Sequence, residues 1–173
     1  MLDLFKKIFT TKMLTEKLST DENNNIEIVG TRCQKMINKY FAGSLAIRQV
    51  DAGSCNGCEL EIHALNNVFY NLERFGIHFV ASPRHADMLL VTGPVTKHLE
   101  AALKITYAAM PTPKLVIAVG NCGANGGEFG KSYASLGGIS EAIPVDAVIK
   151  GCPPTPMDML QGILSVIQKK TNK

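Results

Sequence analysis

Five cysteines stand in a chain of 173 residues, and four of them sit in contexts that could assemble one thiolate site. Cys55 and Cys58 form a close pair, CNGC. Cys122 lies in Gly-Asn-Cys-Gly-Ala-Asn-Gly-Gly (120–127), and Cys152 opens Cys-Pro-Pro-Thr-Pro (152–156). Four thiolates suit either a structural zinc or an iron–sulfur cluster. Zinc usually takes two close pairs, whereas here one pair is joined by two isolated cysteines. Glycine beside a ligand lets the backbone approach closely and aim N–H groups at sulfur, and proline after a ligand fixes the turn. The pattern favours a cluster. Zinc, or a set of buried structural cysteines, stays open on these residues alone. Cys33 has no neighbour at ligand spacing and reads as a free thiol.

Ligands separated by 64 positions (58 to 122) and 30 positions (122 to 152) need a fold that brings them together. From Ser44 onward the chain alternates strand-like and helix-like segments. Leu45–Val50, Ile77–Ala81, Met88–Thr92, Leu115–Gly120 and Val145–Ile149 read as strands. Glu59–Arg74, Lys97–Met110 and Met157–Lys169 read as helices, the second stopped by Pro111 and Pro113. Strands alternating with helices imply a parallel sheet with helices on both faces, a flavodoxin-like α/β domain over 44–173. Cys55 and Cys58 follow the first of these strands, Cys122 the fourth and Cys152 the last. In an open parallel sheet the loops at the carboxyl ends of the strands line the binding crevice. That placement carries the four-thiolate reading further than the count does.

Residues 1–43 differ from the rest. Phe5, Ile8, Phe9 and Met13 recur at helical spacing with Lys6, Lys7, Lys12 and Lys17 on other faces, which predicts an amphipathic arm that lies on a membrane surface or docks on another subunit. Ser19–Asn25 reads as a linker, and Cys33–Phe41 as a short helix leading into the domain. The net charge of +3, the scattered basic residues and the absence of tryptophan argue against nucleic-acid binding. No run of about 18 apolar residues is present, so no membrane span is expected. No secretory pattern opens the chain, and reduced cytoplasmic thiols are expected. Charged residues make up 19% against a typical ~25%, consistent with surface covered by partners.

Other motifs yield less. NGGEFGKS (125–132) is one residue short of a phosphate-binding P-loop and is followed by no long helix, so a glycine-rich loop around Cys122 is the better reading. A flavin would compete for the crevice that the cysteines occupy. Glu59 and Glu61 flank the start of a helix whose dipole favours carboxylates. With Arg84 and Gly123 they are candidates for the layer around the thiolates, where a cation would raise a cluster's potential. Asp87 either orients Arg84 or opens the next strand. The four histidines are dispersed, and no nucleophile–base pair rises above background, so no catalytic residue is assigned in this chain.

The string Gly53-Ser54-Cys55-Asn56-Gly57-Cys58-Glu59-Leu60-Glu61 resembles the cluster loop in small subunits of membrane-bound, energy-conserving [NiFe] hydrogenases, such as formate hydrogenlyase and ferredoxin-linked enzymes. The likeness continues through Glu73–Ile77, Ser82–Asp87, Gly93–Thr96, the loop around Cys122 and Gly151–Pro156, and covers roughly residues 44–165. The wider family includes the cluster-bearing, PSST-like subunit of complex I, where two adjacent cysteines supply the first ligands. The two-residue gap between Cys55 and Cys58 is the hydrogenase-type arrangement and argues against quinone as direct acceptor. The resemblance implies one proximal [4Fe–4S] cluster on Cys55, Cys58, Cys122 and Cys152. It implies a large subunit carrying the [NiFe] centre or a nickel-free equivalent, ferredoxin-like subunits as electron source, and membrane-arm subunits that couple the chemistry to ion movement. The protein is then a peripheral subunit on the cytoplasmic side of the membrane, part of an oxidoreductase with no complete active site of its own. The 21 residues after Cys152 leave no room for the extra cluster domain of uptake hydrogenases, an expectation that agrees with the membrane-bound group. A quinone- or sulfur-reducing relative of complex I is the alternative within the family, and a zinc-stabilised scaffold the alternative outside it.

Overall fold

A computed structural model describes residues 25–171, with Lys6 and Thr10 ahead of them. The amphipathic stretch Phe5–Met13 and the linker up to residue 24 lie outside the described residues. Helix α1 (Ile26–Tyr40) starts where the Asn25 side chain accepts the Glu27 N–H at 3.0 Å, a cap that satisfies one of the free donors of the first turn. Strands β1 (Leu45–Asp51), β2 (Ile77–Phe79), β3 (Met88–Thr92), β5 (Leu115–Val119) and β7 (Ala147–Ile149) form one all-parallel sheet in the order β2-β1-β3-β5-β7. Counting only these five, that is the flavodoxin order 2-1-3-4-5. The short strands β4 (Val95–Thr96) and β6 (Ser135–Gly137) pair antiparallel as a separate ribbon.

The period-two alternation of a strand divides the apolar residues between two cores. Leu45, Ile47, Met88, Leu90, Ile117 and Val119 face one side, packed by α1, α2 (Gly57–Ala64) and α5 (Pro156–Thr171). Leu89, Val91, Val116 and Ala118 face the other, closed by Leu103 of α3 (Glu100–Ala109) and by Ile139 and Ile143. Strands buried on both faces need continuous apolar runs, which is why β3 and β5 read MLLVT and LVIAV. The expected α/β sandwich is therefore present.

Three expectations need correction. Helix α1 begins well before Cys33 and places Val29, Cys33 and Ile37 in the main core, so this segment belongs to the domain and not to an arm ahead of it. The helix expected over Glu59–Arg74 stops at Ala64. The Asn67 carboxamide accepts the Phe69 and Tyr70 N–H groups at 2.9 Å each, and Asn71 turns left-handed, so the chain turns instead of coiling on. Arg84 and His85 lie exposed on a 3-10 turn (Pro83–His85) just before β3, whereas the cysteines follow the strands. The Asp87 carboxylate accepts the Ala46 N–H at 3.0 Å, so it ties the start of β3 to β1 and does not orient Arg84.

Candidate metal centre

All the cysteine loops emerge at the carboxyl edge of the sheet. After β1 the Asp51 carboxylate accepts the N–H groups of Gly53 and Ser54, both at 2.7 Å, and bends the chain sharply. The Ser54 hydroxyl then accepts the Asn56 N–H at 3.2 Å, and Asn56 is left-handed (φ 71°), which turns Cys55 outward and lets α2 begin at Gly57. The loop can lie this close to β3 because position 93 is glycine: a Cβ there would stand 2.4 Å from the Ser54 nitrogen.

After β5, helix α4 (Gly120–Asn125) carries Cys122. The Asn121 N–H donates to the Gly151 carbonyl at 2.8 Å, and the Gly151 N–H donates back to the Asn121 side-chain oxygen at 3.0 Å. This reciprocal clamp fixes the Cys122 loop against the Cys152 loop. Beyond it the Thr155 hydroxyl accepts the Asp158 N–H while the Asp158 carboxylate accepts the Thr155 N–H, capping α5.

Cys55, Cys58, Cys122 and Cys152 line one cavity of about 100 Å³, with Ser54, Gly57, Gly93, Asn121, Gly151 and Pro153 between them. None of the four is in a disulfide. Among the described residues no three His, Cys, Asp or Glu side chains gather closely enough for a single metal ion. A tetrahedral zinc would need four sulfurs about 2.3 Å from one point. The four thiols line a space in which a cluster, a group with volume of its own, would sit. Glycines keep that space clear: a Cβ on Gly120 would stand 2.8 Å from the Cys58 sulfur, and one on Gly127 2.6 Å from the Cys122 sulfur.

The thiols are electrostatically coupled. Burial pushes Cys58 up to about 12, reinforced by the neighbouring Glu59 and by the other three cysteines. Cys122 is raised by burial first and then by Cys152, while the Glu128 backbone N–H aimed at it works the other way. Thiols held protonated in this way ionise once a cationic centre replaces their protons. Cys33 stands apart, fully buried, its thiol directed at the Leu160 carbonyl at 3.9 Å and pushed up to about 12 by burial alone.

Glu59 is buried, accepting the Thr92 hydroxyl with one oxygen while the other has no partner among the described residues. Glu61 is half-buried on the same helix, and Gly123 is buried in α4. Arg84 is not brought to the thiols. Sequence reasoning missed Thr92, Asp51 and Asn121, although Thr92 and Asp51 each close a strand just before a loop of this edge. Lys131 pairs with Glu141 at 3.0 Å, and the next element is the strand β6, not a helix, so 125–132 does not form a phosphate loop.

The pattern of the family described as NADH ubiquinone oxidoreductase, 20 Kd subunit, matches residues 55–166. A probable membrane-bound hydrogenase subunit of Pyrococcus furiosus is 44% identical over 131 residues, 76% of this chain and 78% of that one. A subunit of the NADH-quinone oxidoreductase of Citrifermentans bemidjiense is also 44% identical, over 67% of this chain and 68% of that one. Among solved structures, a chain of the membrane-bound sulfane sulfur reductase, an archaeal respiratory membrane complex, matches with a TM-score of 0.66 at 38% identity, covering 75% of this chain and 71% of that one.

Proposed function

The chain belongs to the NADH ubiquinone oxidoreductase 20 Kd subunit family, and from that premise we propose that it carries one [4Fe–4S] cluster on Cys55, Cys58, Cys122 and Cys152. In this reading it is the proximal electron relay of a membrane-bound hydrogenase complex, between ferredoxin-like subunits and a large subunit of the [NiFe] type. Its relatives are subunits of oxidoreductase complexes, two of them membrane-bound. Among the described residues no helix is long and apolar enough to cross a membrane. In this reading the chain is a peripheral subunit on the cytoplasmic side of the membrane.

One observation carries the reading: four thiols from three separate loops line one cavity. When bound, the cluster supplies one-electron transfer. The protein's own part is to hold and orient. Asp51 and Ser54 shape the first loop, the Asn121–Gly151 clamp sets the distance between the other two, and Gly120 and Gly127 leave the sulfurs room. Cys58 and Cys122 give up protons on loading, so assembly of the site releases acid.

The test is anaerobic purification of the native complex with iron, nickel and zinc assayed together and EPR of the reduced sample. Iron with a reducible cubane signal and nickel in the co-purifying large subunit is the expected result. Iron without nickel moves the complex to sulfur-reducing or complex I-like relatives, a reading that the similarity to the sulfane sulfur reductase favours. Zinc without iron overturns the relay.

A further inference from the structure

Strand β2 is short. It ends at Phe79, opposite Ile47, whereas β1 runs on beside β3 to Asp51. Among the described residues no strand covers the carboxyl half of β1 on that side, and the notch left there is a cavity of about 260 Å³ between β1, β2 and α2. Arg48 lies in it. The Nε of Arg48 is shut off from solvent and has no hydrogen-bond partner, and among the described residues Arg48 forms no ion pair. The rest of the lining holds no carboxylate; its polar members are Gln49, His63 and Asn66, and Ile62 and Phe79 are among its apolar walls. The buried Nε–H of this half-buried guanidinium lacks the acceptor that such a donor normally finds.

The surroundings say what kind of acceptor is missing. A guanidinium presents a planar fork that matches a carboxylate, and one uncompensated positive charge balances one carboxylate. The apolar walls suit the stem of an acidic side chain. The helix that lines the notch and the turn after it also carry Leu60, Val68 and Phe69, which are 61%, 98% and 68% exposed. Large apolar side chains left bare around a charged recess mark a surface covered by another protein. We propose that the notch receives an Asp or Glu side chain of an adjoining subunit, which pairs with Arg48 while Leu60, Val68 and Phe69 pack around it. This rests on the reading of the chain as a subunit of a larger complex, but not on the cluster.

The test uses the native complex with a photo-reactive p-benzoylphenylalanine in place of Asn66, and with Arg48→Met and Arg48→Lys in separate preparations. The cross-linked peptide should come from another subunit and contain a carboxylate. Arg48→Met should speed release of the subunit at raised salt roughly tenfold or more, as expected when one partner of a buried charge pair is lost, and Arg48→Lys should lie between. Iron content should be unchanged in both, which keeps a failure here distinct from a failure of the relay reading. Arg48→Glu should release the subunit, and arginine at the cross-linked carboxylate should restore it. A cross-linked peptide without a carboxylate, or an Arg48→Met complex as durable as the parent, overturns the proposal.

Discussion

Gly120→Ala and Gly130→Ala form a matched pair that tests how tightly the thiols are placed. Both glycines have positive φ, +80° and +56°, so either alanine brings left-handed strain of about 1–2 kcal/mol. At Gly130 nothing lies within 4 Å of the added Cβ. At Gly120 the Cβ lands 2.8 Å from the Cys58 sulfur, with the Gly151 carbonyl at 3.4 Å and Pro154 Cδ at 3.8 Å hindering a sideways escape. Ordinary contact begins near 3.5 Å, so sulfur and Cβ must separate by roughly 0.7 Å. Overpacking of that kind adds about 1–3 kcal/mol. Gly120→Ala should therefore cost roughly 2–5 kcal/mol and displace a ligand, against about 1–2 kcal/mol and no displacement for Gly130→Ala. The assays are iron and acid-labile sulfide per chain, EPR of the reduced protein, and the thermal midpoint. Gly130→Ala should keep its iron and signal with a slightly lower midpoint, whereas Gly120→Ala should lose most of its iron or show a shifted signal. Equal iron and identical spectra in the two variants would refute the argument that the Cys58 sulfur is held against the Gly120 backbone.

Serine at position 55, 58, 122 or 152 should take iron from about four per chain toward background, while Cys33→Ser should retain it; a Cys33→Ser protein without iron would reverse the assignment. Cys33 also predicts an alkaline effect. Its folded value of about 12 exceeds the unfolded 9.0, so below pH 9 both states keep the proton and nothing is lost. Between pH 9 and 12 only the unfolded chain ionises, which lowers stability by about 2 kcal/mol at pH 10.5. Urea unfolding at pH 8 and 10.5 should show that fall, and Cys33→Ala should flatten it by the same amount. Thr92→Val removes the hydroxyl that Glu59 accepts and leaves a buried carboxylate without a donor; a loss of about 1–3 kcal/mol is expected, and an unchanged thermal midpoint would show that the bond contributes nothing.

The strands were legible because burial on both faces demands unbroken apolar runs; β3 runs over Met88–Thr92 as read, and β5 differs by one residue. Their order put the cysteines on one edge, and the four do line one cavity. What escaped has physical causes. Apolar spacing ran on through Asn67 and Asn71, and periodicity takes no account of a side chain that captures backbone N–H groups. Strands of two and three residues, β4 and β6, are too short to show a period. Arg84 was a candidate for a cation near the thiols, but it lies on the turn between β2 and β3, and the crossing over β1 before β3 begins carries it away from the carboxyl edge. The Glu59–Thr92 contact joins residues 33 positions apart and depends on the depth of both side chains, which spacing does not encode.

The Asn121–Gly151 clamp and the spread of the thiols over loops after β1, β5 and β7 also bear on folding kinetics. Local contacts form early, whereas pairings between distant parts of a chain form late, after the entropy of closing long loops has been overcome. Cys55 and Cys58 are neighbours from the start, yet Cys152 joins them only when β7 docks beside β5 at the far edge of the sheet. A ligand that needs all four thiols therefore registers completion of the topology. In a refolding experiment its absorbance should rise no faster than the last strand pairs, so the site serves as an internal clock for the slowest step of its own assembly.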